Sequence, residues 1–166
     1  MYRSVILFSR HGRLRLSKWF LSVPEKERNK TNHDVIQIAL NRNGAYSNIF
    51  HHKGVKYIYK RYASLFFCLG IDEDENELIA LALIHRMVEA LDRYFGNVCE
   101  LDVIFNFERV HMVMDEILLG GEIQETSLRE VKLHVQNADT EMENEINGDV
   151  EAVINLQQFR RQIRRV

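Results

Sequence analysis

The run Ser64-Leu65-Phe66-Phe67-Cys68-Leu69-Gly70-Ile71 limits the fold more than any other stretch. A strand with one wet face alternates polar and apolar residues, whereas a run without alternation needs cover on both faces. The chain must therefore place a layer on each side of a sheet. The run has the length of a strand and falls well short of the ~18 apolar residues of a membrane span. With 166 residues, 46% of them apolar and 28% charged, the chain suits one domain with an ordinary core. Its formal net charge of −2 lacks the basic excess of a nucleic-acid partner.

Residues 3 to 9 read as a first strand, and Gly12 supplies the turn to a second. From Arg13 to Leu21, alternation puts Leu14, Leu16 and Phe20 on one face and Arg13, Arg15, Ser17 and Trp19 on the other. Ser22-Val23-Pro24-Glu25 opens a helix from about 24 to 41, with Ser22 as cap and Val35, Ile38 and Ala39 as its apolar stripe. Strand-like runs at 46 to 52 and 55 to 61 flank Lys53-Gly54, and the apolar run follows a turn at 62 to 63, which gives an antiparallel meander. Asp72-Glu73-Asp74-Glu75-Asn76 closes the sheet and opens a helix whose N-terminal dipole favours carboxylates. Leu78, Leu81, Ala82, Ile84, Met87, Val88 and Leu91 cover more than one stripe of it, so it is buried on much of its circumference. Val110, Val113, Met114, Ile117 and Leu118 mark another helix, which Gly120-Gly121 stops. Ser127-Leu128-Arg129-Glu130 is a capping box for a last short helix ending near 139.

This order gives an α+β fold, a five-stranded antiparallel sheet with one helix on one face and the later helices on the other. Residues 1–140 form that domain. Residues 141–166 are a C-terminal tail, loose or partly helical, whose basic end from Arg160 to Arg165 suits an acidic surface or anionic lipid. The N-terminus lacks the long apolar region of a signal peptide, which predicts a cytosolic chain.

Catalytic and metal chemistry find little support. The seven histidines contain no pair at i, i+4 followed by a third ligand, and His51-His52 on a strand point to opposite faces. Cys68 and Cys99 sit in apolar runs, where thiols are usually buried, inert and reduced. A phosphate loop and a nucleophile elbow are both missing from the sequence. We expect no enzyme, no metal and no cofactor. The stretch Asn97-Val98-Cys99-Glu100-Leu101-Asp102-Val103-Ile104-Phe105-Asn106-Phe107 reads instead as a surface that packs and binds.

Four stretches carry a resemblance. They are Arg13-Leu14-Arg15-Leu16-Ser17-Lys18-Trp19-Phe20, Ile58 through Cys68, Tyr94 through Asp102, and Phe105-Asn106-Phe107-Glu108. Together, from Met1 to about Ala138, they resemble the small, or sigma, subunit of clathrin-associated adaptor complexes. The resemblance implies the longin fold and a heterotetramer of two large chains, one medium chain and one small chain. The small chain would pair with the N-terminal trunk of a large chain, and the pair would bind acidic dileucine signals in cargo tails. Clathrin and membrane would be reached through the other subunits.

On matching positions, the resemblance implies that Ala63, Leu65, Val88, Asn97, Val98 and Val103 line the pocket for the two leucines. Arg15, with a basic residue of the large chain, would face the acidic residue of the signal. Valine at 103 is smaller than the leucine or isoleucine of the family pattern, which widens the pocket. Leu119-Gly120-Gly121-Glu122 and Ile84-His85-Arg86 look more like the trans-Golgi and endosomal adaptor than the plasma-membrane one. Two other classes remain open at this point: a free-standing longin-type regulator of a small GTPase or fusion protein, and a thiol hydrolase.

Overall fold

In the computed structural model, β1 (Tyr2–Ser9) and β2 (Leu14–Trp19) form a hairpin, and β3 (Ile49–His52), β4 (Val55–Tyr62) and β5 (Leu65–Ile71) form the meander. They make one antiparallel sheet in the order β2-β1-β5-β4-β3, so the apolar run is its middle strand. The structure describes residues 1–42 and 47–163, with side chains described except at 143 and 148–163. The strand start expected at 46 and the basic residues 164 and 165 lie outside the described residues, as do the side chains of 160 to 163.

Register assigns each side chain a face. Val5 and Leu7 pair with Leu69 and Phe67, while Ile6 pairs with Cys68. Ile6, Phe8, Tyr57, Tyr59 and Cys68 form one core cluster with Val35, Ile36 and Ala39 of α1 (Glu25–Asn41). On the opposite face, α2 (Glu77–Phe95) packs on β4 and β5, and α4 (Phe107–Ile117) packs on α2. Lys18 of β2 is paired with Asp115 of α4, and Lys56 of β4 donates to Glu77 Oε1 at 2.6 Å. Both sheet faces are thus covered, and Leu65, Phe67, Leu69 and Ile71 are at most 3% exposed. Burial of each such side chain stabilises by roughly 1.5–3 kcal/mol. The α+β order, the five strands and the helices on either face agree with the sequence expectation and give a longin-like arrangement.

Several local features differ from expectation. The β1–β2 register shifts between Leu7 and Phe8, whose partners are Leu16 and Leu14. Arg15 is therefore the extra residue of a β-bulge, and the plain alternation read from Arg13 to Leu21 breaks there. Ser22 does not cap α1, which starts after Pro24 without a side-chain cap. Leu78 and Ala82 of α2 are exposed, and burial is confined to the stripe of Ala80, Leu83, Ile84, Met87, Val88, Ala90 and Leu91. Asn76 caps this helix by accepting from the Leu78 N–H at 2.8 Å.

Gly120-Gly121 does not cap a helix directly. Helix α4 ends at Ile117, and the glycines turn a two-residue hairpin, β6 (Leu118–Leu119) with β7 (Glu122–Ile123). The Tyr2 N–H donates to the Gly121 carbonyl at 2.9 Å, and a Cβ on Gly121 would stand 2.5 Å from the Tyr2 carbonyl oxygen. The last helix, α5 (Leu128–Ile163), runs past the end expected near 139. The chain divides into two compact units, Met1–Lys132 and Leu133–Val166.

Gly70 marks the tightest point of the middle strand, since a Cβ there would meet Ser4 Oγ at 2.6 Å and Tyr57 Cε1 at 3.0 Å. Gly70→Ala is predicted to destabilise the full chain by about 1–3 kcal/mol through overpacking. Urea unfolding should show a lower midpoint at an unchanged slope.

Candidate functional site

One end of the sheet collects residues from four parts of the chain. Leu65 opens β5 and pairs with Ser9 at the end of β1. The Arg10 N–H donates to the Ser64 carbonyl at 3.0 Å, which sets the β1–β2 turn beside the β4–β5 turn. Phe8 pairs with Phe66 on one side and Leu14 on the other, and Leu7 pairs with Phe67 and Leu16. Arg15 lies between Leu14 and Leu16, two strand spacings from β5, a distance of ~10 Å.

The bulge decides where Arg15 points. Ser17 and Trp19 keep to the α1 face, where Asn32 Nδ2 and Trp19 Nε1 both donate to Ser17 Oγ at 2.9 Å. Arg15 instead joins the face of Lys18 and reaches Glu100 at the start of α3 (Glu100–Phe105). Its Nε donates to Glu100 Oε1 at 2.8 Å, and its Nη2 lies 2.6 Å from the same oxygen. The shared face of Arg15 and Trp19 expected from alternation is thus corrected.

Helix α2 contributes the second wall. Tyr62, at the end of β4, hydrogen-bonds through its hydroxyl to His85 Nδ1 at 3.2 Å, and the two rings stack. Val88 follows His85 by three residues and is therefore its neighbour on the helix surface. The helix ends at Gly96, whose φ of 68° is followed by 67° at Asn97. Val98 N–H then donates to Asp92 Oδ1 and Cys99 N–H to Asp102 Oδ2, each at 2.8 Å, folding the segment back into α3. Left-handed φ suits an asparagine at 97 but is uncommon for a residue such as Ala63, where φ is 51°.

Leu65, Val88 and Val103 are buried, Val98 is half-buried, and Ala63 and Asn97 are exposed. Leu65 and Val88 belong to the same layer, between β5 and α2, and Arg15 is tethered to the 97–103 segment through Glu100. In this conformation the three buried members are packed into the interior of the fold. Glu100 is the residue whose local role the sequence did not reveal. It lies 85 positions from Arg15, and no local pattern pairs them. Around them, Leu101, Phe105 and Phe107 remain exposed, an apolar surface beside the site.

The electrostatics show structural ties. Burial lowers the Lys18 ammonium below its ordinary value. Burial, followed by the nearby Lys18 charge, lowers His111. Burial pushes the Cys68 thiol far above its ordinary value, which leaves it without reactive thiolate. Cys99 is exposed, contrary to expectation, because it occupies the turn ahead of α3. Among the described residues, no group of three or more His, Cys, Asp or Glu is arranged to hold a metal, and no helix is long and apolar enough to cross a membrane.

Comparison with known proteins bears on this arrangement. A family model described as "Clathrin adaptor complex small chain" matches residues 1–142. The AP-1 complex subunit sigma-3 of Mus musculus is 50% identical over 139 residues, covering 84% of this chain and 90% of that protein. The AP-1 complex subunit sigma-1 of Schizosaccharomyces pombe is 50% identical over 144 residues, covering 87% and 89%. A chain in a homology model of the full-length AP-3 complex in a stretched open conformation superposes with a TM-score of 0.70 at 28% identity, covering 89% of this chain and 99% of that one.

The cysteine environments generate a direct check. A maleimide added to the native full chain should label Cys99 alone, and Cys68 should react only after unfolding. Rapid labelling of Cys68 in the folded chain would contradict its assignment to the core.

Proposed function

Because the chain belongs to the clathrin adaptor complex small chains, we propose that Ala63, Leu65, Val88, Asn97, Val98 and Val103 form its dileucine pocket and that Arg15 receives the acidic residue of the signal. The chain is a non-catalytic sigma subunit of a heterotetrameric adaptor in vesicle-mediated sorting, associated with large and medium subunits. That membership, spanning the whole sheet and α2 to α4, leaves the free-standing longin regulator and the thiol hydrolase without support. The relatives' names favour an AP-1 type, and hence work on trans-Golgi and endosomal membranes, reached through the other subunits.

The observation that supports the pocket assignment is the Arg15–Glu100 pair, which ties the segment bearing Asn97, Val98 and Val103 to β2. Leu65 faces the α2 layer that holds Val88, and the Arg15–Glu100 pair brings the 97–103 segment to β2. An extended peptide laid there places two leucines near the Leu65–Val88 layer and a carboxylate near Arg15. Two desolvated leucines contribute roughly 1.5–3 kcal/mol each, offset by the cost of ordering the peptide, which leaves a modest net affinity. The exposed Leu101, Phe105 and Phe107 are apolar surface of the kind that a permanent partner, such as a large-chain trunk, would cover.

The test uses the full chain copurified with its large-chain trunk. Arg15→Ser and Val98→Ser should leave copurification intact and weaken an acidic dileucine peptide about tenfold, the scale of one charge-assisted bond or one lost apolar contact. Val88→Asp should abolish peptide binding, since it sets an unpaired charge in an apolar site. Unchanged peptide affinity in all three would remove the pocket from these residues.

A further inference from the structure

The Arg15–Glu100 pair spans the proposed site. Glu100 Oε1 engages both Nε and Nη2, which together form one edge of the guanidinium fork. The side chains are only 21% and 23% exposed, so water screens the pair less than it would a surface pair. That edge is the kind of donor pair that grips an incoming carboxylate. Glu100 already holds it in the peptide-free chain.

We propose that Glu100 is an internal competitor for the acidic side chain of the sorting signal and sets the affinity of the site for that charge. The inference rests on the Arg15 contact proposed above. Peptide binding becomes an exchange in which the signal's carboxylate takes Arg15 and Glu100 swings to solvent. At its position in the first turn of α3, a released carboxylate stays compatible with the helix dipole. The exchange trades one ion pair for another, so Arg15 gains less from the signal's carboxylate than an unengaged arginine would, and the leucines supply most of the surplus. An isolated anion, lacking those apolar contacts, does not displace Glu100. Specificity here comes from a built-in cost against partial ligands as much as from attraction to the full signal.

The alternative role for Glu100 is to hold Arg15 in a productive pose, and the two roles predict opposite signs. The copurified pair of full chain and large-chain trunk, wild type and Glu100→Gln, would be titrated with an acidic dileucine peptide and with the same peptide carrying glutamine at the acidic position. Removing the competitor should tighten the acidic peptide roughly three- to tenfold and leave the glutamine peptide unchanged within about twofold. Glu100→Ala should act in the same direction, which guards against a hydrogen bond retained by glutamine. Weaker or unchanged binding of the acidic peptide to both variants, with wild type binding normally, would overturn the competition alone. Failure of the wild-type pair to bind either peptide would overturn the dileucine reading and the competition with it.

Discussion

The double-sided burial of β5 is the constraint on which everything else in the sheet unit depends. Because β5 keeps almost no polar side chain on either face, α1 must cover one side and α2 with α4 the other. The antiparallel register then fixes which residues share a layer, since a slip by one would exchange the Leu65-Phe67-Leu69 set with the Phe66-Cys68 set. Polar ties reinforce the layers at their rims. Lys56 donates to the Glu73 and Glu75 carbonyls and to Glu77, anchoring the start of α2, and Arg3 is paired with Asp72. Hydrogen bonding from Arg3 holds Asp72 below its ordinary carboxylate value, and hydrogen bonding from Lys56 does the same for Glu77. Stability from these ties is therefore present above the ordinary carboxylate value and is lost as pH falls through the lowered folded values.

A site built at one end of such a sheet inherits its precision from the layers. The β1–β2 and β4–β5 turns are tied together by one backbone hydrogen bond, and Tyr62 ties the same end to α2 through His85. In the 97–103 segment Asp92 and Asp102 accept from the Val98 and Cys99 N–H groups, Arg15 pairs with Glu100, and Val103 is the buried member. That contrast divides a sheet wall held by a full hydrogen-bond ladder from a segment held by a few side-chain hydrogen bonds and one ion pair.

The strands, α1 and α2 were legible in the sequence because their signals are local: alternation, an uninterrupted apolar run, and acidic residues ahead of a periodic stretch. Resemblance supplied the family and the proposed pocket residues, which periodicity does not distinguish from core, as the burial of Leu65, Val88 and Val103 illustrates. What stayed illegible depends on distant partners. A bulge at Arg15 is decided by pairing with β1, so alternation placed Arg15 with Trp19 while the fold turned it toward Glu100. Gly120-Gly121 reads equally as a helix stop or a hairpin turn, and the approach of Tyr2 selects the hairpin. Leu78 looked like core by hydrophobicity alone, yet it is 74% exposed. Cys99 looked buried for the same reason, although the turn that carries it faces solvent.

The proposed pocket stands or falls on whether two leucine side chains are desolvated at the Leu65–Val88 end of the sheet. Calorimetric titration of the wild-type chain, copurified with an adaptor large-chain trunk, against an acidic dileucine peptide and its double-alanine counterpart tests this most directly. Binding of the dileucine peptide with a dissociation constant on the order of micromolar, and none of the alanine peptide, is the expected result. Equal affinity for the two peptides, or no heat from either, would contradict a dileucine pocket on this subunit.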